Sequence, residues 1–192
     1  MIVVICPGIH DPELTQSFLA GLKSEMGKQS LWSDSSNSTS RKLLIFPTQD
    51  YPALSSFHIM HFLRDRTEGV PLESPLIFLS FSAGVVGAIG AAWGWQLLGG
   101  HVKAFIAIDG WGVPLSGNFP IHRLSHDYFT HWSSSLLGSG SDSFYADPPV
   151  EHLDLWRSPQ IVQGWHIPHP VAGTLPRSRL TAAQFLTMLL ER

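Results

Sequence analysis

Leu76-Ile77-Phe78-Leu79-Ser80-Phe81-Ser82-Ala83-Gly84 decides how this chain is read. The apolar run at its start suits a strand buried on both faces. The small residues that follow, Gly84, Gly87, Ala88, Ala91 and Ala92, suit a helix with a bare face that lies close to a sheet. Ser82 stands between the two, at the apex of a sharp strand-to-helix turn. Such a turn predicts positive φ at Ser82 and small residues two positions to either side, because strand and helix backbones come close there. Gly84 meets that requirement, and Ser80 exceeds glycine by one hydroxymethyl group. A serine hydroxyl becomes a useful nucleophile when it is exposed, close to a base and beside fixed hydrogen-bond donors. The turn provides the first and third of these conditions. Serine also caps helices, but a strand before it and a helix after it favour the nucleophile.

Working outward, strand and helix alternate. Ile2 to Cys6 is a continuous β-branched run ended by Pro7-Gly8, which predicts a parallel central strand. Asp11-Pro12-Glu13 has helix-start chemistry, with Leu14, Phe18, Leu19 and Leu22 on one stripe as far as Met26. The Ser-rich stretch from Gln29 to Ser40 has no period and is expected to be a solvated loop. Leu43 to Phe46 is a second strand, and Pro52 to Arg66 carries apolar residues at helical spacing. After the helix that ends at Gly99-Gly100, Val102 to Ile108 is a further strand ending at Asp109. Pro120 to Ser125 and Ser143 to Ala146 are short candidate strands, and Thr181-Ala182-Ala183-Gln184 is a capping box before a C-terminal helix. Repeated βα units predict a three-layer α/β sandwich, with a mostly parallel sheet of about five to six strands and helices on both faces. Residues 1–192 are expected to form one domain.

Composition narrows the function classes. At 192 residues, with 44% hydrophobic residues and seven tryptophans, the chain can bury a substantial core. Its net charge of −3 and scattered basic residues give no footprint for nucleic acid. The single cysteine, Cys6, sits within the first apolar run, as a small buried hydrophobe would. No apolar stretch approaches the roughly 18 residues that span a bilayer, and no secretory leader is visible, so a cytoplasmic location is expected. Gly84, Gly87 and Gly90 lack dinucleotide-loop spacing, and there is no phosphate-binding loop with its lysine.

With its strand-turn-helix context, Ser80-x-Ser82-x-Gly84 resembles the nucleophile elbow of the α/β-hydrolase superfamily, usually written Gly-x-Ser-x-Gly. The resemblance implies a nucleophile, then an acid after a later strand, then a histidine after the last strand. On that order Ser82 is the nucleophile, His152 the base and Asp127 the acid. Asp109, which ends the strand after the elbow helix, is the alternative acid, and Asp147 is third choice because it shares a loop with His152. His101 precedes its strand, and His58 and His61 lie within a helix, so these three are set aside. The implied oxyanion hole uses the N–H of Ala83 and the N–H of Ile9 in Pro7-Gly8-Ile9-His10, with His10 as an alternative donor.

His10, Trp111, Phe119 and Tyr128 are candidate lining residues for a substrate pocket. His122, His126 and His131 lack diagnostic metal-ligand spacing, so no metal and no other cofactor is expected. The short stretch between Asp109 and Pro120 leaves little room for a lid, which implies open access. The implied activity is that of a serine hydrolase acting on a small-molecule ester, or on a thioester or amide, through an acyl-enzyme. The competing class is a non-catalytic α/β module that binds a ligand or partner and keeps the elbow as architecture.

Overall fold

The computed structural model describes residues 1–26, 42–138, 140–169 and 176–192; the expected loop at 29–40 lies outside them. The described strands are β1 (Ile2–Cys6), β2 (Lys42–Ile45), β3 (Leu76–Phe81), β4 (Val102–Ile108), β5 (Ile121–Ser125), β6 (Ser143–Ala146), β7 (Gln163–Ile167) and β8 (Ser178–Thr181). The helices are α1 (Pro12–Met26), α2 (Ser56–Arg66), α3 (Ala83–Leu97), α4 (Tyr128–Ser135), α5 (His152–Arg157) and α6 (Ala182–Glu191). All the strands belong to one sheet of order β2-β1-β3-β4-β5-β6-β7-β8. Strands β1 to β6 pair in parallel, and β7 and β8 are added antiparallel at one edge.

The sheet therefore has eight strands where five to six were expected. The two additional strands are short and only partly buried, with the sequences QGWHI and SRLT. Neither carries the continuous apolar run that marks a strand covered on both faces. At the outer edge β8 presents the exposed Arg179, a charge of the kind that discourages pairing with another chain.

The strand period of two sorts side chains into two cores. Val3, Ile5, Ile77, Leu79 and Phe81 face α1, α5 and α6, where they meet Phe18, Leu22, Trp156, Phe185 and Leu189. Ile2, Val4, Cys6, Phe78 and Phe105 face α2 and α3, where they meet Ile59, Leu63, Val85, Ala88 and Ala92. Cys6 is fully buried, and burial pushes its thiol well above the usual range. Among the described residues no helix is long and apolar enough to cross a membrane.

The turn after β3 has the strain that its sequence implies. Ser82 sits at φ 52°, and its N–H donates to the Ile108 carbonyl at 2.9 Å, which ties the turn to the end of β4. Such a backbone costs on the order of 1–3 kcal/mol and persists only where its surroundings fix it. A Cβ added at Gly84 would overlap the carbonyl oxygens of Cys6 and Pro7. Ser80 is tolerated because its buried Oγ donates to the Ile106 carbonyl at 3.1 Å, so the extra hydroxyl has a partner. Gly84→Ala is thus expected to cost about 3 kcal/mol or more, because rigid backbone must move to admit the methyl group. Urea unfolding of the two proteins measures this, and a loss below about 1 kcal/mol would show that the elbow is not so tightly packed.

Candidate active site

The parallel order places the carboxyl ends of β3, β4, β5 and β6 side by side, and each carries one polar residue of the site. Ser82 follows β3, Asp109 follows β4, His126 follows β5, and His152 opens α5 after β6. Ser82 and Asp109 are the only non-glycine residues with positive φ among those described, at 52° and 50°. Backbone strain is therefore concentrated at this one cluster.

The side chains form a chain of hydrogen bonds. His152 Nδ1 lies 2.9 Å from Asp109 Oδ2, and its Nε2 lies 3.0 Å from Ser82 Oγ. A carboxylate only accepts, so Nδ1 carries the hydrogen and Nε2 presents its lone pair to the serine hydroxyl. The imidazole is also held by its face, stacking on Phe81 at 4.7 Å and 20°. Phe81 stacks in turn on Trp156 at 4.8 Å, and Trp156 on Phe18 at 3.8 Å, so the ring rests on a column of fully buried aromatics.

The structure places the carboxylates differently from the expected order. Asp109, not Asp127, meets His152. Its side chain is 1% exposed, and its backbone N–H donates to the Leu124 carbonyl at 2.8 Å. Asp127 turns away to cap α4, where its Oδ1 accepts the Thr130 N–H. Burial pushes the Asp127 carboxyl up, but its bonds from Thr130 and the nearby His126 outweigh this and hold it below the usual range. The spacing Asp127-x-x-Thr130 at the head of a helix was the available sign of a cap. Asp147 is held in its own loop, with its N–H donating to the Gln163 carbonyl at 3.0 Å and its Oδ2 accepting from Trp165 Nε1 at 2.8 Å.

From the sequence His126 was weighed as a metal ligand beside His122 and His131 and given no role, yet it reaches the centre of the site. Its Nδ1 donates to Asp109 Oδ2 and its backbone N–H to Asp109 Oδ1, both at 2.9 Å. The hydrogen bond to Asp109 raises its pKa above the ordinary histidine value, burial opposes this, and the charges of Asp109, Asp127 and Glu151 add to the rise. The stability that this proton contributes is complete below the ordinary histidine pKa and is lost as pH rises through the raised value. Asp109, His126 and His152 bring three donor atoms within 4.8 Å of one another, a nitrogen and oxygen set that a transition metal could use. In this structure those atoms are joined to each other by hydrogen bonds.

A cavity of about 400 Å³ opens over Ser82, lined by Ala83, Val86, Asp109, Trp111, Val113, His126, Thr130 and His152. Trp111 was expected there. The other three candidates lie elsewhere: Phe119 is buried beside Phe105, Tyr128 packs on Tyr145 and His131, and the His10 ring leans on Phe81 and Trp156. Val86 and Val113 complete the apolar lining, and no sequence period distinguished them from ordinary packing residues.

The loop after β1 presses on the elbow, since a Cβ at Gly8 would lie 3.0 Å from Ser82 Cβ. Ile9, next in that loop, is exposed. Ala83 is the first residue of α3, so its N–H has no acceptor within the helix.

The rim is fastened by a buried arginine. Arg123 donates to the carbonyls of Gly138 at 2.7 Å, Leu137 at 3.2 Å and Val113 at 3.3 Å, and burial pushes its pKa down to about 10. Opposite, Trp111 Nε1 donates to Ser133 Oγ on α4 at 3.0 Å. Replacing Arg123 with Met removes the donor to the Gly138 and Val113 carbonyls, while Leu137 keeps the Leu115 N–H, an expected cost of about 2–4 kcal/mol in thermal or urea unfolding. A change within about 0.5 kcal/mol would mean that water serves these carbonyls equally well.

No protein-family model matches this chain, and no curated protein does.

Proposed function

We propose that the protein is a small serine hydrolase of the α/β-hydrolase type, cleaving an ester, or a thioester or amide, by way of an acyl-enzyme. The observation that carries this reading is the unbroken path from Ser82 Oγ through His152 to the buried Asp109 carboxylate, at 3.0 and 2.9 Å, on a strained elbow beside a cavity. The chain order of nucleophile, acid and histidine supports the same reading from the sequence side, with Asp109 in the place first given to Asp127 and with two further strands, β7 and β8, after His152.

In the first half-reaction Ser82 Oγ attacks the carbonyl carbon while His152 Nε2 takes the hydroxyl proton. The Asp109 carboxylate stabilises the imidazolium that forms without itself becoming protonated. The oxyanion is received by the N–H groups of Ala83 and Ile9. Collapse of the intermediate breaks the bond to the leaving group, which takes the proton from Nε2, and an acyl ester remains on Ser82. In the second half-reaction water attacks this ester and gives its proton to Nε2. The acid departs as that proton returns to Ser82 Oγ.

Trp111, Val86 and Val113 favour an apolar acyl group in the cavity, and no cofactor enters any step. The test is intact-mass analysis after incubation with a fluorophosphonate, with turnover of p-nitrophenyl acyl esters measured in parallel. One covalent adduct per chain together with ester turnover is the expected result. A folded protein that takes up no adduct would remove the hydrolase reading and favour the ligand-binding module.

A further inference from the structure

His126 has no part in the proton path just described, although it makes two of the three hydrogen bonds that reach the Asp109 carboxylate. The two imidazoles share one buried oxygen, Oδ2, with ring centroids 5.9 Å apart and planes at 80°. The His126 carbonyl also accepts the N–H of Val150 at 3.1 Å, two residues before His152. One residue thus grips both the acid and the loop that carries the base.

Resting on the hydrolase reading, we infer that His126 is a positioning residue that sets the strength of the base: it fixes the Asp109 carboxylate and, by gaining or losing a proton, changes how much of that charge is available to His152. Its Nδ1–H is committed to Asp109, so the titrating proton sits on Nε2, 3.7 Å from Asp127 Oδ2. The charged and titratable groups around it are Asp109 at the end of β4, Asp127 at the cap of α4, and Glu151 and His152 at the start of α5. The three carboxylates hold the proton on His126. A cation there disfavours a second cation on His152, because both rings are held by the same Asp109 oxygen. The rings therefore titrate as a pair. Turnover depends on the charge of His126 as well as that of His152: when His126 loses its proton, the full charge of Asp109 supports the imidazolium.

The test compares the pH dependence of kcat for a p-nitrophenyl ester in the parent and in His126→Asn, whose amide can still donate to Asp109. Two steps are expected in the parent. The variant should show one step, because the second titrating group that shares the Asp109 carboxylate is gone. A uniform fall in kcat with the parent's profile, or a single identical step in both proteins, would overturn the inference.

A proton NMR titration of the imidazole resonances in Ser82→Ala, with and without His126→Asn, reads the coupling without turnover. Two inflections in the His152 signal of the protein that retains His126 are expected, and independent single titrations would overturn the inference. Because the parent titration stands alone, a variant that fails to fold does not remove the test. Coupled titration without ester turnover would sustain the pairing and overturn the hydrolase reading instead.

Discussion

Ser82→Ala is expected to abolish covalent labelling by a fluorophosphonate and to lower kcat for ester hydrolysis by about 10⁴-fold or more, while leaving the fold intact. The hydroxyl is the only group at the elbow able to form the acyl bond in the proposed mechanism, and it is the atom to which His152 Nε2 is hydrogen-bonded, at 3.0 Å. Its removal costs little stability. The bond to His152 is worth about 1 kcal/mol, and the Ser82 N–H keeps its bond to Ile108 whatever the side chain. A melting temperature within a few degrees of the parent, with no adduct by mass, is the expected pair of results. Full turnover in Ser82→Ala would place the chemistry elsewhere, and an unfolded variant would mean that the residue serves architecture.

Asp109→Asn should be nearly as severe, with kcat down about 10³–10⁴-fold, whereas Asp127→Asn should stay within a few-fold of the parent. The difference follows from donors and acceptors. The His126 backbone N–H can only donate, and it points at Asp109 Oδ1. An asparagine at 109 therefore keeps its oxygen there and places its amide group where Oδ2 was, facing the Nδ1 atoms of His152 and His126. Both rings must then shift their hydrogen to Nε2, and His152 presents a hydrogen, not a lone pair, to Ser82. The backbone has no reason to move, because asparagine accepts the left-handed conformation that residue 109 adopts at φ 50°. At 127 the carboxylate is a helix cap, and asparagine caps about as well. Measuring kcat/KM together with thermal melting decides the matter, and equal losses at the two positions would return the acid to an open question.

The elbow was legible in the sequence because its constraint is local. The residues from Leu76 to Gly84 specify a buried strand, a turn that only a strained backbone completes, and a helix that must pack closely, with no information from elsewhere in the chain. The capping box at Thr181 was equally legible, and both of its hydrogen bonds are present. The two antiparallel edge strands were not, because β7 and β8 lack the apolar runs that burial on two faces demands.

The acid could not be read locally. Asp109 and Asp127 each follow a strand, and those strands are neighbours in the sheet, so chain order allows either. Backbone direction separated them: Asp109 turns inward at positive φ, while Asp127, one residue beyond His126, turns toward the open N–H groups of α4. His126 was hidden for the same reason, since its two bonds to Asp109 cross 17 residues of chain.

The sequence by itself determined the mostly parallel α/β architecture and the place of Ser82 at a strained elbow, since both rest on short-range sterics and on the alternation of strands and helices. Only the tertiary structure decided which carboxylate meets His152, that a second histidine shares it, and which side chains line the cavity. These depend on side-chain directions at adjacent strand ends, which are set by register and packing across the whole sheet.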